Sequence, residues 1–141
     1  MLAPDAQRRT TYAALVLRVS MGIMFLAHAY LKMFVFGMAG AGKFFASLGL
    51  PDWFLYPILA LEILGGLALI LGILVRWATI PLFIELIATI VLVHGANGWL
   101  ASAKGGGWEF PAFWAAGLLA LGLLGDGAFA LVPSSRLRGS K

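Results

Sequence analysis

The sequence predicts an all-α fold: one domain over residues 1–141, built as a four-helix transmembrane bundle with both termini cytoplasmic. Three observations carry this. Hydrophobic residues make up 62% of the chain and charged ones 11%, with a mean hydropathy of +0.96, far from the balance of a water-soluble domain. Four apolar stretches reach about 20 residues, the length that crosses the hydrocarbon core of a bilayer. The positive charges that flank them are unequally divided between the two ends.

The first span, roughly 13–36, follows Arg8 and Arg9 and contains Arg18, His28 and Lys32. Ala27-His28-Ala29 imitates a signal-cleavage site, but Arg18 interrupts the apolar run and the run continues past Lys32, so the span is expected to be retained. Gly37 to Asp52 is a glycine-rich break that ends in a Leu50-Pro51-Asp52 turn. The second span, 54–75, has Pro57 near its start, where a missing N–H is cheap. It carries Glu62 and, one turn on, Gly65 and Gly66, which let another helix approach closely. Arg76 separates it from the third span, 77–97, with Pro81, Glu85 and His94. Gly98 to Pro111 holds three consecutive glycines without the lysine of a phosphate loop, and reads as a flexible connection. The fourth span, 111–132, has the small residues Ala116, Gly117, Ala120 and Gly122, and then Asp126.

Arg8, Arg9, Arg76, Arg136, Arg138 and Lys141 fall on one side, against Lys32, Lys43 and Lys104 on the other. By the positive-inside rule the first side is cytoplasmic. Trp53, Trp99 and Trp108 then form an aromatic belt at the outer interface. The net charge of +4 does not indicate nucleic acid, because the basic residues flank spans and form no basic stripe. With no cysteine the chain has no disulfide, thiolate metal site, c-type haem attachment or CxxC redox pair. A zinc site needs three or four ligands, and no metal site is expected. His28 and His94 lie within roughly one helical turn in depth, but neither is in a distinctive motif, so haem b is not expected.

Ionisable groups inside a bilayer cost a few kcal/mol and usually face a bundle interior. With a rise of 1.5 Å per residue, Arg18 and Asp126 lie roughly 7–9 Å to the cytoplasmic side of centre, and Glu62 and Glu85 within roughly 3 Å of it. Arg18 reaches Asp126 or Glu85 in depth, and Arg18–Asp126 is the expected structural ion pair. Glu62 reaches His28. Lys32, His94, Asn97 and Glu109 share a level near the outer surface, where Lys32 either joins a pocket or snorkels to the interface. Of the two central acids, the one left without a basic partner is the best functional clue; Glu62 is the candidate proton relay.

Several segments in order carry a resemblance: Arg18 and Gly22; Ala27-His28-Ala29-Tyr30-Leu31-Lys32; Phe44 to Pro51; Glu62-Ile63-Leu64-Gly65-Gly66 with Gly72 and Arg76; His94-Gly95-Ala96-Asn97-Gly98-Trp99; and Gly106-Gly107-Trp108-Glu109-Phe110-Pro111. With these the chain resembles the DoxX family of small bacterial membrane proteins. The resemblance implies a four-helix bundle in the bacterial inner membrane. It also implies a subunit of a quinone-linked oxidoreductase complex, or of one handling sulfur compounds or oxidative stress. Arg18, Lys32, Glu62, His94, Asn97, Trp99, Trp108 and Glu109 occupy family-pattern positions, whereas Glu85 and Asp126 rest on depth alone. The expected pocket comprises Arg18, His28, Lys32, Glu85, His94, Asn97, Trp99, Trp108 and Glu109, with Lys32, His94 or Trp108 holding a quinone head group or an anionic sulfur species. The chain contributes no redox centre, so an enzyme would need another subunit. The expected partners are the lipid bilayer, oxidoreductase subunits and further copies of the chain. Two other readings stay open: permeation of a small solute or proton through an oligomer, and a non-catalytic scaffold that docks proteins on 43–52 and 104–109.

Overall fold

The computed structural model describes residues 3–138; Lys141, counted above among the flanking charges, lies outside them. Helix α1 (Pro4–Tyr30) begins with a proline in its first turn, where no N–H is missed, and runs on through a widened turn, Leu31–Val35. There the Phe36 N–H bonds the carbonyl five residues back, on Leu31, at 2.9 Å. Helix α2 (Gly37–Ser47) follows, then a tight turn at Asp52–Phe54 that leads into α3 (Leu55–Leu71). Helix α4 (Val75–Thr89) also ends in a widened turn, Ile90–His94, before a short 3₁₀ turn at Gly95–Asn97. Helix α5 (Glu109–Leu124) completes the set, and a last 3₁₀ turn spans Ser134–Arg138.

Helix α1 packs on α3, α3 on α4, α4 on α5 and α5 back on α1, so the four apolar helices close into an up-and-down bundle. The α1–α3 contact depends on two glycines. A Cβ on Gly22 would lie 2.6 Å from the Gly66 carbonyl oxygen, and one on Gly66 would lie 2.9 Å from that of Gly22. Between the helices Phe25, Leu69, Leu82, Leu118 and Leu121 are almost wholly buried. The outside is also apolar: Val16, Leu64, Val91, Phe113 and Leu123 are each more than 60% exposed. A water-soluble protein would not present such a continuous apolar belt. α1, α3 and α4, with their adjoining turns, are long and apolar enough to cross a membrane, and α5 is a shorter apolar helix of 16 residues. This is a membrane bundle.

Three boundaries differ from expectation. The glycine-rich break is largely helical: each glycine costs about 1 kcal/mol of helix propensity, but Ala41 and Phe45 bury against Ala29, Leu55 and Leu59 and hold α2 in place. Span two ends at Leu71, because Gly72 takes a left-handed φ of 69° and closes the helix. The Gly72 N–H bonds the Leu69 carbonyl and the Ile73 N–H the Ala68 carbonyl, the bond pair of a Schellman ending. Span four stops at Leu124 and not at 132. Gly125 (φ 91°) and Gly127 (φ 73°) turn the chain back beneath the α3–α4 connection, where Ile73 and Val132 form an isolated bridge. Asp126 is therefore outside the span.

Candidate functional site

At the end of the bundle where α3 gives way to α4, Arg18 and Asp126 do not form the expected ion pair. Arg18 is 1% exposed and donates to three carbonyls: Leu69 (2.8 Å), Ile70 (2.5 Å) and Ala128 (2.8 Å). Leu71 and Gly72 receive the N–H groups of Leu131 and Val132. Every carbonyl from Ala68 to Gly72 thus has a donor, and a cation caps the negative end of the helix dipole. Asp126 does the converse at the start of α4. It accepts from the Val75 N–H (3.1 Å), the Ser134 N–H (2.9 Å) and the Ser134 hydroxyl (2.6 Å), and that hydroxyl oxygen accepts from the Arg76 N–H. Both charges serve the α3–α4 turn, and Arg18 is outside the pocket.

The polar cavity lies toward the other end. Lys32 Nζ meets Glu62 Oε1 at 2.5 Å, the only ion pair among the described residues, with the Glu62 side chain 3% exposed. Lys32 turns inward and does not snorkel, and it takes the place expected for His28 as the partner of Glu62. The widened turn at Leu31–Val35 rotates Lys32 toward α3 as it leaves α1; a similar turn carries His94 at the end of α4. Such insertions into a helix commonly mark functional positions. Glu85, from α4, lines the same cavity, close enough for its carboxyl group to feel the charges of Glu62 and Lys32.

The cavity encloses about 100 Å³. Phe25, Leu86 and Trp114 separate it from the apolar core, and Phe110 and Pro111 close one side. His28 and His94 complete the wall. His28 Nδ1 bonds the Met24 carbonyl of its own helix (2.9 Å), and His94 Nδ1 bonds the Gly106 carbonyl (2.8 Å). Since a carbonyl can only accept, each ring donates from Nδ1, and Nε2 is the nitrogen left over. Three buried polar atoms around this space have no partner: Glu62 Oε2, Glu85 Oε2 and Trp114 Nε1. Among the described residues no three His, Asp or Glu side chains gather as a metal site.

Asn97, Trp99, Trp108 and Glu109 do not line the cavity but build the loop beside it. The Asn97 amide donates to the Gly105 and Gly106 carbonyls, both at 3.0 Å, and Glu109 accepts from the Ala101 N–H at 2.6 Å. Trp99 and Trp108 pack edge to face, 4.4 Å apart. Phe110 and Trp114 also wall the cavity, and apolar pattern alone does not set such aromatic residues apart from lipid-facing ones.

The family model described as DoxX matches residues 13–95, more than half of the chain. The chain belongs to the DoxX family. The match takes in α1 to α4 and with them Lys32, Glu62, Glu85, His28 and His94, all the ionisable groups of the cavity of this DoxX chain. It is also similar to "Putative oxidoreductase CatD" of Bacillus subtilis (strain 168), 34% identical over 90 residues, 64% of this chain and 66% of that protein. The DoxX chain thus spans just under two thirds of that relative's length. No solved structure matches.

Proposed function

We propose that this chain is the membrane subunit of a quinone-linked oxidoreductase, with Glu62 as the proton relay at the lipid-embedded site. One observation carries the reading: a single ammonium, Lys32, paired with Glu62, shares one cavity with a second carboxyl group, Glu85, and each acid keeps one buried oxygen without a partner. Two carboxyl groups and one ammonium balance in charge only with one further proton. A buried charge left unbalanced costs several kcal/mol, so a cluster of this composition favours taking up a proton that it can pass on.

The walls suit the polar edge of a quinone head group. Phe25, Phe110 and Trp114 offer aromatic surface, Lys32 offers a donor and His28 and His94 complete the polar wall. The volume is smaller than the roughly 150 Å³ that admits benzene, so one edge of the ring enters and the rest lies toward Phe110. When bound, a quinone supplies a two-electron, two-proton acceptor, the electrons coming from a redox subunit. Lys32 would hold a ring oxygen and Glu62 would pass protons to the head group one at a time, the second taken up by the cluster after the first is delivered. The apolar core beneath Phe25 and Leu86 gives that proton no polar route to the far end, which favours exchange on one side over permeation. The arginine-bearing end fits the cytoplasmic face of a bacterial inner membrane. Lys32, neutralised by Glu62, drops out of the opposing charge count, and this strengthens the positive-inside bias.

Native mass spectrometry of the protein extracted gently from its own membrane tests the reading. A retained quinone or oxidoreductase subunit is expected. Lipid adducts alone, together with unchanged quinone-dependent turnover of that membrane after Glu62→Gln, would overturn it in favour of a scaffold.

A further inference from the structure

Building on the quinone reading, we infer that the head group enters sideways from the lipid, along a groove on the outer face of α5, with Phe110 as the partition between groove and cavity. The groove is open, about 600 Å³, and runs past Trp99, Phe110, Ala112, Phe113 and Ala116. Ala112 and Ala116 are four residues apart and so share one helix face, a shallow floor on which a linear apolar chain can lie. Phe110 lines both the groove and the polar cavity. Beyond it lies Glu62, whose side chain is 3% exposed and whose Oε2 has no partner.

The loop beside the cavity is fixed by hydrogen bonds, whereas the ring that parts groove from cavity is not. The 98–108 loop is held by Gly107 N–H to Leu100, Trp108 N–H to Gly98 and Glu109 N–H to Trp99, all between 2.9 and 3.0 Å. The bonds of His94 and Asn97 to Gly105 and Gly106 add to these. Opening that loop breaks several hydrogen bonds together. Phe110 is 47% exposed, its side chain makes no hydrogen bond, and a rotamer change moves it on a short timescale. The occupant is a planar ring bearing oxygens on a single apolar tail. A phospholipid does not fit this description: its anionic phosphate would face the carboxyl groups of Glu62 and Glu85, and it brings two chains where the groove offers one floor.

The test is photolabelling of the full chain in phosphatidylethanolamine–phosphatidylglycerol nanodiscs with a decyl-benzoquinone carrying a diazirine on its tail. Adducts are expected on Phe113 and Ala116, to be competed away by unlabelled decyl-benzoquinone. They should fall about tenfold in Ala116→Leu, which fills the floor. Adducts spread evenly over Val16, Leu64 and Val91 would mean ordinary partition into lipid and overturn the proposal. Adducts confined to 102–107, the part of the loop that does not line the groove, would mean entry from water and do the same, as would a diazirine-bearing phosphatidylglycerol that labels the groove equally well. If Ala116→Leu does not fold, the distribution and competition in the unmodified protein decide. Labelling reads binding and not turnover. A labelled groove with turnover indifferent to Glu62→Gln would keep the entry route and discard the relay, and the converse result would separate them the other way.

Discussion

Arg18 and Asp126 are bound to the two helix ends of one turn, Arg18 to the carbonyls that close α3 and Asp126 to the N–H groups that open α4. The two charges are complementary in sign, yet each is satisfied by backbone. This arrangement lets α3 end at Leu71 and α4 start at Val75 with every carbonyl from Ala68 to Gly72 met by a donor, while Arg18 Nε is left without a partner. A direct ion pair would have left those helix ends to find donors and acceptors elsewhere.

Substitution of Arg18 is therefore expected to destabilise the bundle through its carbonyls. Arg18→Gln leaves buried acceptors unmet, at about 1–3 kcal/mol each. Arg18→Lys should recover only part of this, because a single ammonium cannot serve Ile70 and Ala128 from two nitrogens as the guanidinium does. Thermal unfolding in detergent, followed by tryptophan fluorescence, measures both. A lysine variant as stable as the parent would show that the charge alone matters.

The Lys32–Glu62 pair leads to an unequal pair of losses. Removing one member of a buried ion pair costs about 3–5 kcal/mol. Glu62→Leu leaves Lys32 with Glu85 still nearby, whereas Lys32→Met leaves two acids with no cation at all. Lys32→Met is accordingly expected to be the worse, and the double variant to recover most of the loss. Unfolding of the three variants in one detergent gives the order, and equal single losses would count against Glu85 as a second partner.

The spans and the identity of the polar groups were legible because lipid imposes length and because a charge in an apolar run is conspicuous. Partnering was not. Depth along a helix placed Lys32 too far out for Glu62, since it ignored the length of the lysine side chain and the widened turn that rotates it. Asp126 was read into the fourth span because Gly125 and Gly127 are tolerated in membrane helices, and only their positive φ shows that they end one. Helix α2 was hidden for the opposite reason: its glycines argue against a helix, and its buried contacts with α1 and α3 are remote in sequence.

The α1–α3 crossing should be intolerant of bulk. Any Cβ on Gly22 meets the Gly66 carbonyl and also the side chain of Ile70, at 2.6 Å. Gly22→Val is therefore expected to separate the helices and lower the yield of folded protein, while Gly40→Val, in α2 at a position with nothing within 4 Å, should be neutral or gain a few tenths of a kcal/mol, roughly, in helix propensity. Monodispersity on size exclusion distinguishes them. A well-behaved Gly22→Val would mean that the crossing can widen without loss.

The loop beside the cavity should depend on Asn97. Its amide is the donor to two successive carbonyls, Gly105 and Gly106, and Gly106 is also the residue that His94 holds. Gly105 and Gly106 both have positive φ, a conformation that keeps their carbonyls turned toward these donors. Asn97→Ala removes both bonds while leaving the cavity wall intact, since Asn97 does not line it. Faster hydrogen exchange is expected across 101–107, with little change in α3 and α4, because the cores of those helices open only with the whole bundle. His94→Ala should loosen the same segment and also alter the cavity. Exchange in 101–107 that Asn97→Ala leaves unchanged would place the restraint in the backbone bonds of the loop and in His94 alone.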